Sequence, residues 1–274
     1  MASTGADYVL GHADAELARL STQARVVDPI TRRMLVDAGI ETGMRVLDVG
    51  SGVGDVAWLI AEVVGSGGEV VGSDLADVAV ATARRRAVER GLANVSFLKG
   101  DPGTLDFQLP FDAVVGRYVL MFQADPTVLL RGVARALHRG GLIAFHEPAW
   151  RGVRSVPVAP SYERLCAWMV ETFIRSGADP HMGDHLGPAF VAAGLPEPTM
   201  RSESLIGAGA TATDLIGLKV DLARTMVPAM EKHRVVSAAE VDIDTAAERI
   251  RSEVAMAQSV VIGRAEVAAW ARIA

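Results

Sequence analysis

The stretch VLDVGSGVGD at residues 46–55 decides the fold. It opens on an apolar run that reads as a strand, passes through Gly50, Gly52 and Gly54, and leads into VAWLIAEVV at 56–64, a helical pattern. A glycine turn lets backbone approach a ligand closely, and the helix that follows presents free N–H groups to a polar one. A dinucleotide fingerprint, G-x-G-x-x-G, would need its third glycine at position 55, which is Asp55. The loop is G-x-G-x-G instead, with Asp48 two positions before the first glycine. A carboxylate there is a poor neighbour for pyrophosphate and a good one for a cationic ligand.

Working outward, β-rich runs at 44–49, 69–73, 95–99, 111–115 and 142–146 alternate with helical patterns, which predicts five parallel strands wound with helices. Helices are expected over 78–90, closed by Gly91, and over 126–139, where Asp125 caps, Pro126 suits the first turn and Gly140–Gly141 end it. Asp74 closes the second strand in VVGSD, where a carboxylate can accept from both hydroxyls of a ribose. Asp101 follows the third strand in KGDP and could accept from an adenine amino group. One such Asp reads as a turn or cap residue. Three of them, ending strands one to three beside the glycine loop, point to a ligand.

On these residues the chain resembles the class I S-adenosylmethionine-dependent methyltransferases, in particular the small-molecule branch similar to quinone-biosynthesis C-methyltransferases. The resemblance is strong over 44–147 and loose in the flanks. It implies S-adenosyl-L-methionine as cofactor, with its methionine part on Gly50, Gly52 and Gly54 near Asp48, its ribose on Asp74 and Leu75, and its adenine on Gly100, Asp101 and Pro102. Arg117, after the fourth strand, would lie beside the methionine and sulfonium. The implied fold is a Rossmann-like seven-stranded α/β sheet, mostly parallel with an antiparallel last strand, plus helical cap insertions.

The flanks fit that plan. A helical cap is expected over 1–40, broken into two helices at Asp28–Pro29, ahead of a cofactor-binding core at 41–150. A helical acceptor-side segment follows at 151–198, with helices near 162–176 and 184–193. The final strands, 199–206 and a second within 258–274, enclose a helical insertion at 207–257. Thr211 with Asp214 and Thr245 with Glu248 match the capping-box pattern and are expected to start its helices. The stripe Leu215, Leu218, Leu222, Met226 and Met230 reads as core or as a substrate-facing wall.

Composition narrows the function further. With 50% hydrophobic and 22% charged residues over 274, the chain is made to pack, and the length suits one α/β domain with insertions. A net charge of −6 provides no positive field to gather phosphate backbones, so nucleic acid is not an expected partner. The lone Cys166 can form no intrachain disulfide and reads as a small buried hydrophobe. Neither a secretory leader nor a bilayer-length apolar run is evident, and a cytoplasmic monomer or homodimer without membrane association is expected.

Methyl transfer is an in-line displacement at a sulfonium, so positioning supplies most of the acceleration and a base is needed only where the acceptor must lose a proton. Ligands of open α/β sheets lie beyond the carboxyl ends of the strands, which nominates Tyr118 after strand four and His146–Glu147 after strand five. His146 could serve as base with Glu147 orienting it or the substrate, or be a structural histidine at a strand end; Tyr118 could line the pocket or pack. His181 and His185, near Asp179 and Asp184, imitate a metal site, but Pro180 and Gly183 disturb helical spacing and no metal is expected. The expected activity is methylation of oxygen, nitrogen or carbon on an aromatic, polyketide or prenylated metabolite in an enclosed apolar pocket. The alternatives are a cofactor-binding cyclase or regulator without methyl transfer and, further off, a nicotinamide-dependent oxidoreductase.

Overall fold

The computed structural model describes residues 14–274, with side chains described from residue 26 onward; the first part of the expected cap lies outside the described residues. Five strands are parallel, β1 (Arg45–Val49), β2 (Glu69–Asp74), β3 (Val95–Lys99), β4 (Phe111–Arg117) and β5 (Leu137–Ala149), in the spatial order β3-β2-β1-β4-β5. The reversal of direction around β1 and β4 opens a crevice at their carboxyl ends, where open α/β sheets hold ligands. Helices α2 (Asp55–Val64), α3 (Asp77–Glu89) and α4 (Pro126–Ala134) make crossovers. Beyond β5 come β6 (Arg154–Val156), α5 (Pro160–Arg175), α6 (Met182–Ala192), β7 (Thr199–Ala208), α7 (Ala210–Lys232), α8 (Ala238–Val241), α9 (Ile243–Ala257) and β8 (Val260–Arg272). Strand β8 runs antiparallel between β5 and β7, and the short β6 pairs with its first residues. The expected sheet is present, with β6 as an eighth strand.

Strand alternation divides the core between the two faces of the sheet. Val46, Val70, Ala113 and Val115 pack with α1 (Asp14–Ala38), α2 and α3, while Leu47, Val71, Val114 and Phe145 pack with α4 to α9. Of the α7 stripe, Leu215, Leu222, Met226 and Met230 are buried within the second cluster as core, and Leu218 is buried as well.

Three local expectations are corrected. Residues 14–38 form one helix that passes through Pro29. Proline inside a helix costs about 3 kcal/mol, but Val27, Ile30, Met34 and Leu35 make an unbroken buried stripe across it, and Asp28 and Thr31 are tied to Arg117 on either side. Helix α4 has its Asp125 cap, accepting from Thr127 N–H at 2.9 Å, but it ends at Ala134 because Leu137 already pairs with Phe111. Gly140–Gly141 lie instead in an irregularity of β5. The capping boxes at Thr211 and Thr245 do not form: the Thr211 hydroxyl bonds Ala208 in the preceding turn, and Thr245 lies inside α9 and donates to Asp242. The capping box of the insertion is Ser237 with Glu240, starting α8.

Candidate functional site

The glycine loop joins β1 to α2 and is stitched to β2 by Ser51 N–H on Ser73 carbonyl and Gly52 N–H on Asp74 Oδ2, both 2.9 Å. Its glycines differ in what surrounds them. A Cβ on Gly54 would meet the Trp58 ring at 2.4 Å, and one on Gly50 would meet Val119 at 2.6 Å. Gly52, at φ +52°, has nothing within 4 Å of the same position. Two glycines therefore serve packing, and the middle one faces open space.

The loop and the adjoining strand ends carry polar groups with unmet bonding capacity. Asp48 is buried with Oδ2 unpartnered, and the hydroxyls of Ser51 and Ser73 are likewise buried without a partner. Burial pushes the Asp48 carboxyl up to about 8 against the opposing pull of Arg117, with Asp74 and Asp55 adding to the rise. Asp74, half-buried, accepts from Gly52 N–H and, at 2.8 Å, from Ala76 N–H, which leaves each oxygen a further acceptor site. Leu75 is exposed beside it. Gly100 donates to Asp74 carbonyl, Pro102 is buried, and the exposed Asp101 accepts from Gly103 N–H at 2.9 Å. Arg117 points to α1, where it donates to Asp28 at 2.8 Å and to Thr31 at 3.0 Å.

At the ends of β4 and β5 a second cluster forms around Glu266 of β8. One Glu266 oxygen lies 2.6 Å from Tyr118 Oη and 3.1 Å from His146 Nε2; the other accepts from Arg264 Nε at 2.8 Å. Arg264 also donates to Tyr118 Oη at 2.8 Å, and His146 Nδ1 lies 3.2 Å from Thr31 Oγ1. The cluster is layered: Tyr118 and Arg264 are partly exposed, whereas His146 and Glu266 are enclosed beneath them. The Arg264 charge, with bonds from His146 and Tyr118, outweighs burial and holds Glu266 far below the usual carboxylate range. Burial lowers His146 against the pull of Glu266, which favours the neutral ring, and the acceptor-only Glu266 keeps a proton on Nε2. Val119, which touches the Gly50 position, links this cluster to the loop.

Glu147 has a different place from the expected one beside His146. Successive strand residues point to opposite faces, and Glu147 turns to the chain after β4, accepting from Val119 and Leu120 N–H at 2.8 and 2.7 Å and from Met121 N–H at 3.3 Å. Tyr118, at φ 56°, begins that turn. Removing the acceptor leaves three enclosed donors unpaired, at roughly 1–3 kcal/mol each; Glu147→Ala should therefore lose about 3 kcal/mol or more in urea unfolding. Burial, outweighing these amide bonds, pushes the Glu147 carboxyl up to about 8. The folded chain thus holds a proton that the unfolded chain releases near its ordinary pKa, and stability falls as pH rises from that point to about 8. Glu147→Gln, neutral throughout, should reduce that slope; an unaltered slope would place the titration elsewhere.

The histidine pair does not converge: His185 bonds Asp179 at 2.6 Å, Asp184 pairs with Arg151, and among the described residues no group of three or more ligating side chains is assembled. Cys166 is buried. Sequence reasoning missed Glu266, Arg264, Thr31 and Asp28. The one local signal was Arg264-x-Glu266, two charges on one face of a strand otherwise without charge before its terminal Arg272.

Comparison with known proteins bears on the family and the fold. A family model described as a methyltransferase domain matches residues 40–185. The aklanonic acid methyltransferase DauC of Streptomyces sp. (strain C5) is 41% identical over 124 residues, 45% of this chain and 56% of that protein. The ubiquinone/menaquinone biosynthesis C-methyltransferase UbiE of Cellvibrio japonicus (strain Ueda107) is 32% identical over 123 residues, 43% of this chain and 49% of its own. The matches thus span about half the length of these curated relatives. Among solved structures, the [4+2]-cyclase SpnF superposes with a TM-score of 0.54 at 21% identity, covering 91% of this chain and 82% of that one, a likeness of fold. With the family model matching more than half of its residues, the chain belongs to the methyltransferase-domain family, whose methyl donor is S-adenosylmethionine.

Proposed function

We propose that this chain transfers a methyl group from S-adenosylmethionine to a small apolar or aromatic acceptor enclosed by the helical segments 151–198 and 207–257. The observation that carries this reading is the open space at Gly52, in a loop whose flanking strand ends hold Asp48, Ser51, Ser73 and Asp74 with unused bonding capacity. These groups fit the cofactor's chemistry: a carboxyl for its cationic end and a two-oxygen acceptor for its ribose, with Asp101 in reach of the next strand end. When bound, the cofactor supplies a methyl already activated on a sulfonium. Tyr118 and Arg264 then face the acceptor, and the ordered chain at 118–122, held by Glu147, sets their distance from the loop. The reading is tested by incubating the protein with methyl-labelled S-adenosylmethionine and a panel of phenols, aromatic acids and polyketide-type compounds, with products read by mass spectrometry. Bound cofactor without a labelled product would replace it with a cofactor-binding cyclase or regulator.

Within this reading His146 is a positioning residue. Its Nε2–H holds Glu266, which in turn holds Tyr118, and the imidazole itself is enclosed. A glutamine can donate the same bond but cannot take up a proton. His146→Gln should keep turnover within about tenfold of wild type, and His146→Ala should lose more than that without a change in cofactor affinity. If both variants lose about 10²–10⁴-fold, the range for removal of a general base, the imidazole is the base.

A further inference from the structure

Lys219 of α7 stands apart from the paired charges around it. The residue is 3% exposed, and its ammonium lies 4.2 Å from the centroid of the Trp150 ring, just past the end of β5. Among the described residues it makes no ion pair and no hydrogen bond, whereas the neighbouring cation, Arg264, is paired with Glu266. Arg264 leans over the same indole at 5.3 Å, so two cations share one ring while the nearby carboxylate already serves Arg264, Tyr118 and His146. An enclosed ammonium without a counter-charge of its own is expensive, and a ring face returns only part of what water gave. An apolar side chain of similar size would fill the position at less cost, so the charge calls for an anion from outside the chain.

We propose that Lys219 and Arg264, over Trp150, form a binding site for an acidic group of the acceptor, a carboxylate or an ionised phenol or enol. The inference rests on the methyl-transfer reading and narrows its substrate class. The site lies at the carboxyl ends of β4 and β5, adjoining Tyr118 through Arg264, on the side where that reading puts the acceptor. The cofactor's own carboxylate offers the same chemistry and is the alternative source of the anion.

The groups facing Lys219 are Arg264 and Glu266 from β8 and Cys166 from α5. Burial and the Arg264 charge lower the ammonium to about 8, while Cys166, raised by burial to about 11, stays neutral across that range. Anion binding should accordingly weaken as pH rises through about 8.

The probe is 2-naphthoate compared with its methyl ester, titrated into the protein with S-adenosylhomocysteine present and followed by calorimetry and tryptophan fluorescence. Wild type is expected to bind the carboxylate at least tenfold more tightly than the ester at pH 7, with the preference lost at pH 9. Lys219→Met should abolish the preference while leaving ester binding and S-adenosylhomocysteine affinity unchanged. Equal affinity for acid and ester, or no binding of the acid, overturns the proposal, as does a preference that survives in the variant. Loss of S-adenosylhomocysteine affinity in Lys219→Met assigns the anion to the cofactor and also overturns it. The wild-type pH series tests the assignment even where the variant fails to fold. Methyl transfer to acceptors without an ionisable group reports separately on the underlying reading: labelled product on such acceptors alone leaves that reading standing and removes this site.

Discussion

Gly52→Val should abolish S-adenosylmethionine binding, by at least about a hundredfold, while the protein keeps its far-ultraviolet circular dichroism. Two features of the loop combine to give this result. The Cβ of residue 52 would project into space that no protein atom occupies within 4 Å, so the substitution causes no clash in the free protein and fills the place proposed for the ligand. A side chain in the left-handed region costs about 1–2 kcal/mol, which a domain of this size tolerates. Gly54→Val provides the contrast, because its added atoms collide with Trp58 and Phe97 and the fold itself is damaged. Calorimetric titration with S-adenosylhomocysteine, beside circular dichroism, separates the two. Wild-type affinity in a folded Gly52→Val protein would move the cofactor away from this loop.

Glu266→Ala should be the most destabilising change in the second cluster, with an expected loss of about 3–5 kcal/mol, the range for removing one partner of a buried ion pair. Its two oxygens serve Arg264, Tyr118 and His146, and without them Arg264 and Lys219 share the Trp150 ring with the nearby carboxylate gone. Glu266→Gln keeps the shape and one acceptor oxygen and should lose less. Guanidinium unfolding of both variants decides the matter. A loss below about 1 kcal/mol for the alanine variant would mean that the pair is solvated in solution and stabilises little.

What could be read from the sequence was local. The strand, glycine loop and helix at 45–64, and the acids that close β2 and β3, declare themselves within about twenty residues because turn chemistry and strand ends depend on neighbours in the chain. Pro29 misleads for the opposite reason: the helix survives it through burial of Ile30, Met34 and Leu35 and through the Asp28–Arg117 pair, 89 positions apart. Gly140–Gly141 look like a helix stop and belong to a strand irregularity fixed by pairing with β4. Ser237-Ala-Ala-Glu240 satisfies the same capping pattern as the two threonine candidates, and local sequence does not rank them. Glu266 and Lys219 acquire meaning only when β8 enters beside β5 and α7 folds over Trp150, neither of which periodicity can show.

The position of β8 bears on how this molecule is made. Strand order places β8 between β5 and β7, so the ribosome delivers the strand that joins them after both have emerged. At synthesis rates of about 5–20 residues per second, the β1 to β5 half waits several seconds or more for that closure. Throughout the wait the nascent chain already carries the glycine loop and Asp74 but has neither Arg264 nor Glu266. On the reading proposed above, the groups assigned to the cofactor thus emerge before the groups assigned to the acceptor, and a growing chain has the first set without the second.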